Sequence, residues 1–172
     1  MNIILIGYRG TGKSAVGGLV ADGLNMDCVG MDAEIVRLAR LPVPEIVEQF
    51  GWSGFRDMET RVAKTLSARD NLVIDTGGGV IERSENIAAL RESGLIFWLT
   101  ASVDVIISRI SGDTQRPALV AGKTFTEEVA EVLSRRTPKY KRAAQYEIET
   151  DRMTPHQVAK RIIEISRDQL EQ

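Results

Sequence analysis

The sequence predicts an α/β fold, a doubly wound, five-stranded parallel sheet flanked by helices. Strand-like and helix-like patterns alternate about five times, with no repeat, low-complexity tract or linker between them. Several strand-like segments are apolar throughout, as expected for strands covered on both faces. A glycine-rich loop follows the first of them and opens onto a helical pattern. At 172 residues the chain suits one domain, 1–172.

The glycine-rich loop joins an apolar strand at residues 3–6 to a helical pattern that starts at Ala15. Its sequence at 7–14, GYRGTGKS, matches the phosphate-loop template G-x-x-x-x-G-K-[ST] at every fixed position. Glycines let the backbone turn its N–H groups around a phosphate, and the helix N-terminus adds partial positive charge. Lys13 is predicted to reach the β- and γ-phosphates of a nucleotide, and the Ser14 hydroxyl to bind Mg²⁺.

The amino-acid composition excludes several classes of binding partner and cellular location. A net charge of −2 and a pI near 5.6 argue against nucleic-acid binding, which needs a surplus of Lys and Arg. One cysteine excludes an intrachain disulfide, and the apolar N-terminal segment is too short for a signal peptide or a membrane span. We therefore expect a cytoplasmic protein that binds no membrane. Cys28 is expected to be a small buried strand residue.

The second strand is predicted at 27–30, where it delivers Asp32 to the start of a helical pattern. Asp at such a place can cap the helix, and capping does not conflict with ligand binding. Two prolines at 42 and 44 interrupt the pattern, so a short helix at 45–50 is expected to end at Gly51. A longer helix is predicted from 54 to 68.

The third strand, predicted at 72–75, ends in Asp75 and runs into the sequence TGGG at 76–79. An apolar run ending in Asp resembles a Walker B strand, whose carboxylate holds Mg²⁺ directly or through water. Three glycines suit a backbone that comes very close to a ligand, although a flexible turn has the same composition. Ligands of doubly wound sheets bind at the carboxyl ends of strands, so these residues and Asp32 should share a crevice with the phosphate loop.

The second half repeats the alternation. Ser84 is predicted to cap a helix that stops at Gly94, a strand follows at 95–99, and Ser102 caps a helix at 103–110. The polar segment 111–124 is a candidate lid, although a surface loop has the same composition.

A helix is predicted from Thr126, with Pro138 bending or restarting it, and a short last strand at 147–150. The sequence TPHQ at 154–157 is a capping box that opens the closing helix. His156, the only histidine, is expected to be exposed and without a catalytic role.

Arginines decide what kind of phosphate-loop protein this is. Guanidinium groups match carboxylate and phosphate bidentately, which suits an acidic substrate and a transferred phosphoryl group. Five arginines lie at predicted helix ends or in the candidate lid: Arg56, Arg109, Arg116, Arg135 and Arg136.

With these motifs in place, the chain resembles the shikimate kinases over residues 2 to about 165. The phosphate loop is shared by many families, but the combination of motifs that accompanies it is far more specific. These motifs are Met31-Asp32, Gly54-Phe55-Arg56 with Glu59, the TGGG sequence, Gln115-Arg116-Pro117, Arg136-Thr137-Pro138 with Tyr140, and Glu149-Thr150.

The resemblance implies a kinase of the phosphate-loop type, which transfers the ATP γ-phosphoryl group to the 3-hydroxyl of shikimate. Asp32 would bond the substrate hydroxyls and act as base, while Lys13 and Arg116 would be the other catalytic residues. Arg56 and Arg136 would clamp the substrate carboxylate, with Gly77, Gly78 and Gly79 admitting the ring. Arg109 would stack on adenine. The residues that would bind ATP are Gly10, Thr11, Gly12, Lys13, Ser14, Ala15, Arg109, Arg116 and Thr150.

The chain departs from the family at one position. Shikimate kinases usually carry Asp-x-Asp at the end of the second strand, and here the first Asp is replaced by Gly30. That carboxylate normally helps to hold a Mg²⁺-bound water. Our hypothesis is that Asp75, on the neighbouring strand end, supplies the missing charge, so that Ser14 and Asp75 form the metal site.

Two alternatives remain. Another small-metabolite kinase, such as a gluconate or nucleoside monophosphate kinase, shares the architecture, but its acceptor would not need Arg56 and Arg136 on one carboxylate. A nucleotide-dependent switch without transfer activity is the second alternative, which Gly30 keeps open. The acidic composition favours a monomer.

Overall fold

The computed structural model describes residues 1–111 and 122–170 of the chain. Its centre is one parallel sheet of five strands, and their order in the sheet is β2-β3-β1-β4-β5. The strands are β1 (Asn2–Ile6), β2 (Asp27–Gly30), β3 (Leu72–Asp75), β4 (Gly94–Thr100) and β5 (Tyr146–Glu149). The predicted doubly wound α/β sheet is therefore confirmed.

Seven α-helices and one 3-10 helix connect the strands in the described part of the chain. The first four are α1 (Lys13–Leu24), α2 (Met31–Ala39), α3 (Val43–Ser67) and α4 (Ser84–Ser93). They are followed by α5 (Val103–Ile110), α6 (Phe125–Ala143) and α7 (Pro155–Leu170). The 3-10 helix, Val80–Glu82, directly follows the glycine triplet and was not predicted.

Side-chain alternation along the central strands divides the core into two layers. Ile4 and Ile6 of β1 pack into a cluster with α2, α3, α4 and α6. Ile3 and Leu5 face the opposite cluster, which includes residues of α1 and α7. Because both faces are covered, β1 is apolar along its whole length, as its sequence predicts.

Most helix boundaries follow the local signals. Gly51 has φ 67° and ψ 176° and interrupts α3 where the sequence predicts one helix to end and another to begin. Ser102 caps α5, and Thr154 with Gln157 forms the predicted capping box of α7. Pro138 lies inside α6, which continues through it.

Two predictions about single residues, the burial of Cys28 and the capping role of Ser84, are wrong, and Asp32 does not take the capping role that its position allows. Cys28 is exposed, because the short β2 is an edge strand and not a central one. The N-cap of α2 is Gly30, and Asp32 lies in the first turn, where it is available for other contacts. Ser84 is the first residue of α4, with Arg83 at the cap position.

None of the helices in residues 1–111 and 122–170 is both long and apolar enough to cross a lipid bilayer.

Candidate active site

An open cavity of about 640 Å³ lies at the carboxyl ends of the parallel strands. The phosphate loop and the start of α1 contribute Gly10, Gly12, Lys13, Ser14 and Ala15 to its lining. The neighbouring strand ends contribute Asp32, Asp75, Gly77 and Gly78. The crevice expected from the sequence therefore brings most of the predicted site residues together.

The phosphate loop takes its shape from backbone geometry. Gly12 has φ 92° and ψ 14° at the start of α1, a left-handed conformation that favours glycine. Lys13 is buried, and its Nζ donates hydrogen bonds to the carbonyl oxygens of Gly7 at 2.8 Å and Tyr8 at 3.0 Å. Thr11 also closes the loop, since its Oγ1 donates to the same Tyr8 carbonyl at 2.8 Å.

Ser14 and Asp75 meet across the cavity floor. The Ser14 hydroxyl donates to the Oδ2 atom of Asp75 at 2.5 Å. Asp75 is also the register partner of Gly30 between β3 and β2, so the two strand ends lie side by side. The Asp75 carboxylate therefore stands one strand away from the place where the family usually has its first Asp.

Two carboxylates flank Gly77. A Cβ atom at Gly77 would lie 2.8 Å from Oδ1 of Asp32 and 3.0 Å from Oε1 of Glu59, so only glycine leaves room for both. The Glu59 side chain is 0% exposed, and burial raises its pKa against the opposing effect of Arg56. Its Oε1 atom has no hydrogen-bond partner among the described residues.

Arg56 lies over Gly79. A Cβ atom there would come within 2.1 Å of its Nη2 atom, so the guanidinium occupies the space left by the missing side chain. Arg56 Nη1 donates to Oε2 of Glu59 at 2.7 Å, and the rings of Trp52 and Phe55 lie 5.5 and 5.2 Å from its guanidinium carbon. The side chain is 12% exposed and is held from several sides.

Arg136 approaches the triplet from α6. Its Nη1 would lie 3.6 Å from a Cβ atom at Gly78, and its side chain is 4% exposed. Its Nε donates to Oε1 of Glu82 at 2.7 Å, and Lys139 donates to the other oxygen at 2.5 Å. Burial alone would raise the pKa of Glu82, but the hydrogen bonds from Lys139 and Arg136 lower it from 4.5 to about 2.

The triplet is also fixed from behind, because the hydroxyl of the buried Tyr140 donates to the Gly78 carbonyl oxygen.

Arg109 connects the phosphate loop to the turn after β5. Its Nη1 donates to the Gly10 carbonyl and to Oγ1 of Thr150, both at 3.1 Å, and its Nη2 to the Thr150 carbonyl at 3.3 Å. The resemblance implies that Arg109 and Thr150 bind the nucleotide, and the two residues contact each other beside the phosphate loop.

Some predicted residues fall outside this arrangement. Arg116 and most of the candidate lid lie outside the described residues. Arg56 and Arg136 border the glycine triplet but do not line the cavity itself. Arg135 is 53% exposed, with its Nη2 3.6 Å from Glu82.

Three residues of the site were not predicted as such. Glu59 follows Arg56 by three positions on one helix, a spacing at which opposite charges meet, so this pair was detectable. Glu82 lies 54 residues before Arg136 in the chain, and no local signal links them. Arg9 occupies a variable position of the phosphate-loop template but lines the cavity.

Comparison with known proteins adds an independent finding. A sequence model of the family described as shikimate kinase matches residues 9–167. The shikimate kinase of Thermodesulfovibrio yellowstonii is 42% identical over 162 residues, which cover 94% of this chain and 92% of that protein. That of Caldicellulosiruptor saccharolyticus is 40% identical, covering 95% and 94%. The solved structure of shikimate kinase from Acinetobacter baumannii in complex with shikimate matches with a TM-score of 0.92 and 33% identity, covering 98% of this chain and 93% of that one.

Proposed function

The chain belongs to the shikimate kinase family, and from this membership we propose how its residues carry out shikimate kinase activity. The reaction transfers the γ-phosphoryl group of ATP to the 3-hydroxyl of shikimate and yields shikimate 3-phosphate and ADP. Catalysis of such a transfer is mostly positioning and charge stabilisation, so each residue is considered by what it holds.

Arg56 and Arg136 hold the acceptor carboxylate. The two guanidinium groups approach the glycine triplet from α3 and α6, and each is anchored by its own carboxylate, Glu59 or Glu82. Bidentate arginine contacts match a carboxylate in both charge and shape. Gly77, Gly78 and Gly79 let these side chains come close to the backbone, and the acceptor ring lies beside the triplet.

Asp32 orients the acceptor and serves as base. Its carboxylate lies against Gly77 in the cavity that the phosphate loop also lines. In the transfer, the 3-hydroxyl oxygen forms a bond to the γ-phosphorus, the bond from that phosphorus to the β,γ-bridging oxygen breaks, and ADP leaves with the bond electrons. The hydroxyl proton goes to Asp32.

The donor nucleotide lies on the phosphate loop. Backbone N–H groups of Gly10 to Ala15 surround its phosphates, and Lys13 leaves its two carbonyl acceptors to meet the β- and γ-phosphates. Arg109 and Thr150, which contact each other beside Gly10, hold the adenine end. Arg116, which lies outside the described residues, stays a prediction as the residue that reaches the transferred group.

Ser14 and Asp75 fit a Mg²⁺ ion. Both present oxygen atoms, which Mg²⁺ prefers, and it commonly takes only one or two protein ligands beside water and phosphate. The ion would neutralise charge on the β- and γ-phosphates.

The observation that carries this proposal is a pair of carboxylate-anchored arginines beside the phosphate-loop cavity, with Arg136 buried and Arg56 12% exposed. The test is ADP release with and without shikimate, in the wild type, Arg136→Met and Arg135→Met. We expect shikimate-dependent turnover. Loss of the buried arginine should lower kcat/KM for shikimate about ten- to a hundredfold, since a charge-assisted contact contributes roughly 1.5–3 kcal/mol. The exposed Arg135 serves as the matched control and should change it less than about threefold.

Two outcomes would contradict the assignment. ADP release that does not depend on shikimate would favour the nucleotide switch, and turnover only with another acceptor would favour a sibling kinase. A monomeric state and a cytoplasmic location stay predictions from composition. A sedimentation measurement would test the first of them.

A further inference from the structure

Arg9 lies where the donor and acceptor halves of the crevice meet. It lines the same cavity as Gly10, Lys13 and Asp32. Its backbone nitrogen would lie 3.5 Å from a Cβ atom at Gly78, so the loop and the glycine triplet approach each other at this residue. The roles assigned so far do not use this side chain.

The guanidinium group of Arg9 differs from those of Arg56 and Arg136 in its partners. No carboxylate of the described residues forms an ion pair with it, whereas Arg56 and Arg136 are paired with Glu59 and Glu82. Its polar neighbour is the hydroxyl of the buried Tyr8, and its Nη1 atom is itself buried without a well-placed acceptor in the described parts of the chain. Leaving a buried charged donor unsatisfied is unfavourable, so this position favours a ligand that brings oxygen atoms.

Phe125 restricts where this guanidinium can go. Its ring centroid lies 5.6 Å from the guanidinium carbon, a cation–π contact from the first residue of α6. The side chain is therefore held at the boundary of the two halves.

We propose that Arg9 binds the phosphoryl group once it is on the acceptor, and so makes the site discriminate shikimate 3-phosphate from shikimate. The inference rests on the proposed function. The acceptor carboxylate already has two arginines, and the additional anion that forms between the two halves is the transferred phosphoryl group. Its oxygens match the planar fork of a guanidinium.

The test is calorimetric titration of shikimate and of shikimate 3-phosphate into the wild type, Arg9→Met and Arg9→Lys, with ADP present. We expect Arg9→Met to weaken shikimate 3-phosphate about ten- to a hundredfold and shikimate less than about twofold, because only the phosphorylated ligand loses a charge-assisted contact. The affinity of Arg9→Lys for shikimate 3-phosphate should lie between those of the wild type and Arg9→Met, since lysine keeps the charge but lacks the planar guanidinium group. Arg61→Met, on an exposed position of α3, is the control and should change neither affinity.

Equal weakening of both ligands, or no weakening of either, would overturn the inference. Failure of the wild type to bind shikimate would instead overturn the proposed function, so the two failures are distinguishable. Thermal melting of each variant establishes that it is folded. If Arg9→Met does not fold, Arg9→Lys decides, because an unchanged ratio of the two affinities would also overturn the inference.

Discussion

The nucleotide-binding (donor) half and the shikimate-binding (acceptor) half of the crevice are shaped by different interactions. The donor half is centred on the eight consecutive residues 7–14, and backbone conformation shapes this loop, as at Gly12 with its φ of 92°. The acceptor half is assembled from side chains of α2, α3, the 3-10 helix and α6, and buried ion pairs shape it. The first half therefore depends on dihedral angles and the second on charge pairing, and the two should fail in different ways when altered.

Two Gly→Ala substitutions, one in each half, should have the largest and most different effects on the KM values for ATP and shikimate. Gly12→Ala meets no atom within 4 Å but must adopt a left-handed conformation, at about 1–2 kcal/mol. Distortion of the loop amides should then raise KM for ATP about ten- to a hundredfold. Gly79→Ala has an ordinary backbone, φ −99°, but its Cβ would collide with the Arg56 guanidinium. It should raise KM for shikimate by a similar factor.

Steady-state kinetics with each substrate varied in turn checks this reciprocity. Each variant should leave the other substrate's KM within about threefold, because the ion pairs that anchor Arg56 and Arg136 both lie in the acceptor half. If each variant raised KM for ATP and KM for shikimate equally, the two halves would be structurally coupled, and the contrast between them would be wrong.

Substitution of Asp75 tests whether metal binding belongs to the donor half alone. Asp75→Ala should raise the Mg²⁺ concentration for half-maximal activity about tenfold and leave KM for shikimate nearly unchanged, because one carboxylate ligand is lost. Mn²⁺ binding in the presence of a non-hydrolysable ATP analogue, followed by electron paramagnetic resonance, measures the same loss without turnover.

The sheet register offers a rescue of that variant. Gly30 is the strand partner of Asp75, and a Cβ atom there meets only Ala33, at 3.9 Å. The double variant Asp75→Ala with Gly30→Asp should therefore recover most of the metal affinity. Unchanged Mg²⁺ titration in Asp75→Ala, or no recovery in the double variant, would reject the assignment of the metal to Asp75.

Glu82→Gln should have the smallest kinetic effect and should be confined to the acceptor half. Glutamine can still accept a hydrogen bond from Arg136 but carries no charge, so we expect KM for shikimate to rise about three- to tenfold. KM for ATP should stay constant. A lower KM for shikimate would show instead that the negative charge of Glu82 repels the acceptor more than it aligns Arg136.

The same variant has a pH signature in stability. The pKa of Glu82 is lowered to about 2, so its contribution to the free energy of unfolding is fully present above pH 4.5 and is lost as pH falls toward 2. The shift corresponds to roughly 3 kcal/mol, and the difference between wild type and Glu82→Gln should shrink by about half between pH 6 and pH 3. Urea unfolding measures it, with Glu85→Gln, from an exposed ion pair with Lys64, as the control that shows little difference.

Local signals in the sequence predicted the strands and the backbone of the phosphate loop. Apolar runs, glycines and capping residues are local signals, and they predict the strands, the loop before Lys13 and the interruption of α3 at Gly51. The acceptor residues Arg56 and Arg136 were identified through motifs, and their assignment to a carboxylate came with the resemblance.

What escaped prediction depends on pairing between distant parts of the chain. Cys28 was expected to be a small buried strand residue, but it is exposed because strand order makes β2 an edge. Glu82 becomes a partner of Arg136 only when the 3-10 helix meets α6. Neither the order of strands nor a contact across 54 residues is encoded in local periodicity.

Because Arg56 and Arg136 are anchored by carboxylates, their side chains lose conformational freedom when the protein folds and not when the substrate binds. A long basic side chain loses up to about 2 kcal/mol of rotamer entropy when it is fixed, and here Glu59 and Glu82 fix both arginines as the chain folds. The arrival of a small acid then requires little further ordering, which strengthens its binding. The entropy that would otherwise be lost on substrate binding is therefore lost on folding, and it lowers the free energy of unfolding of the substrate-free protein.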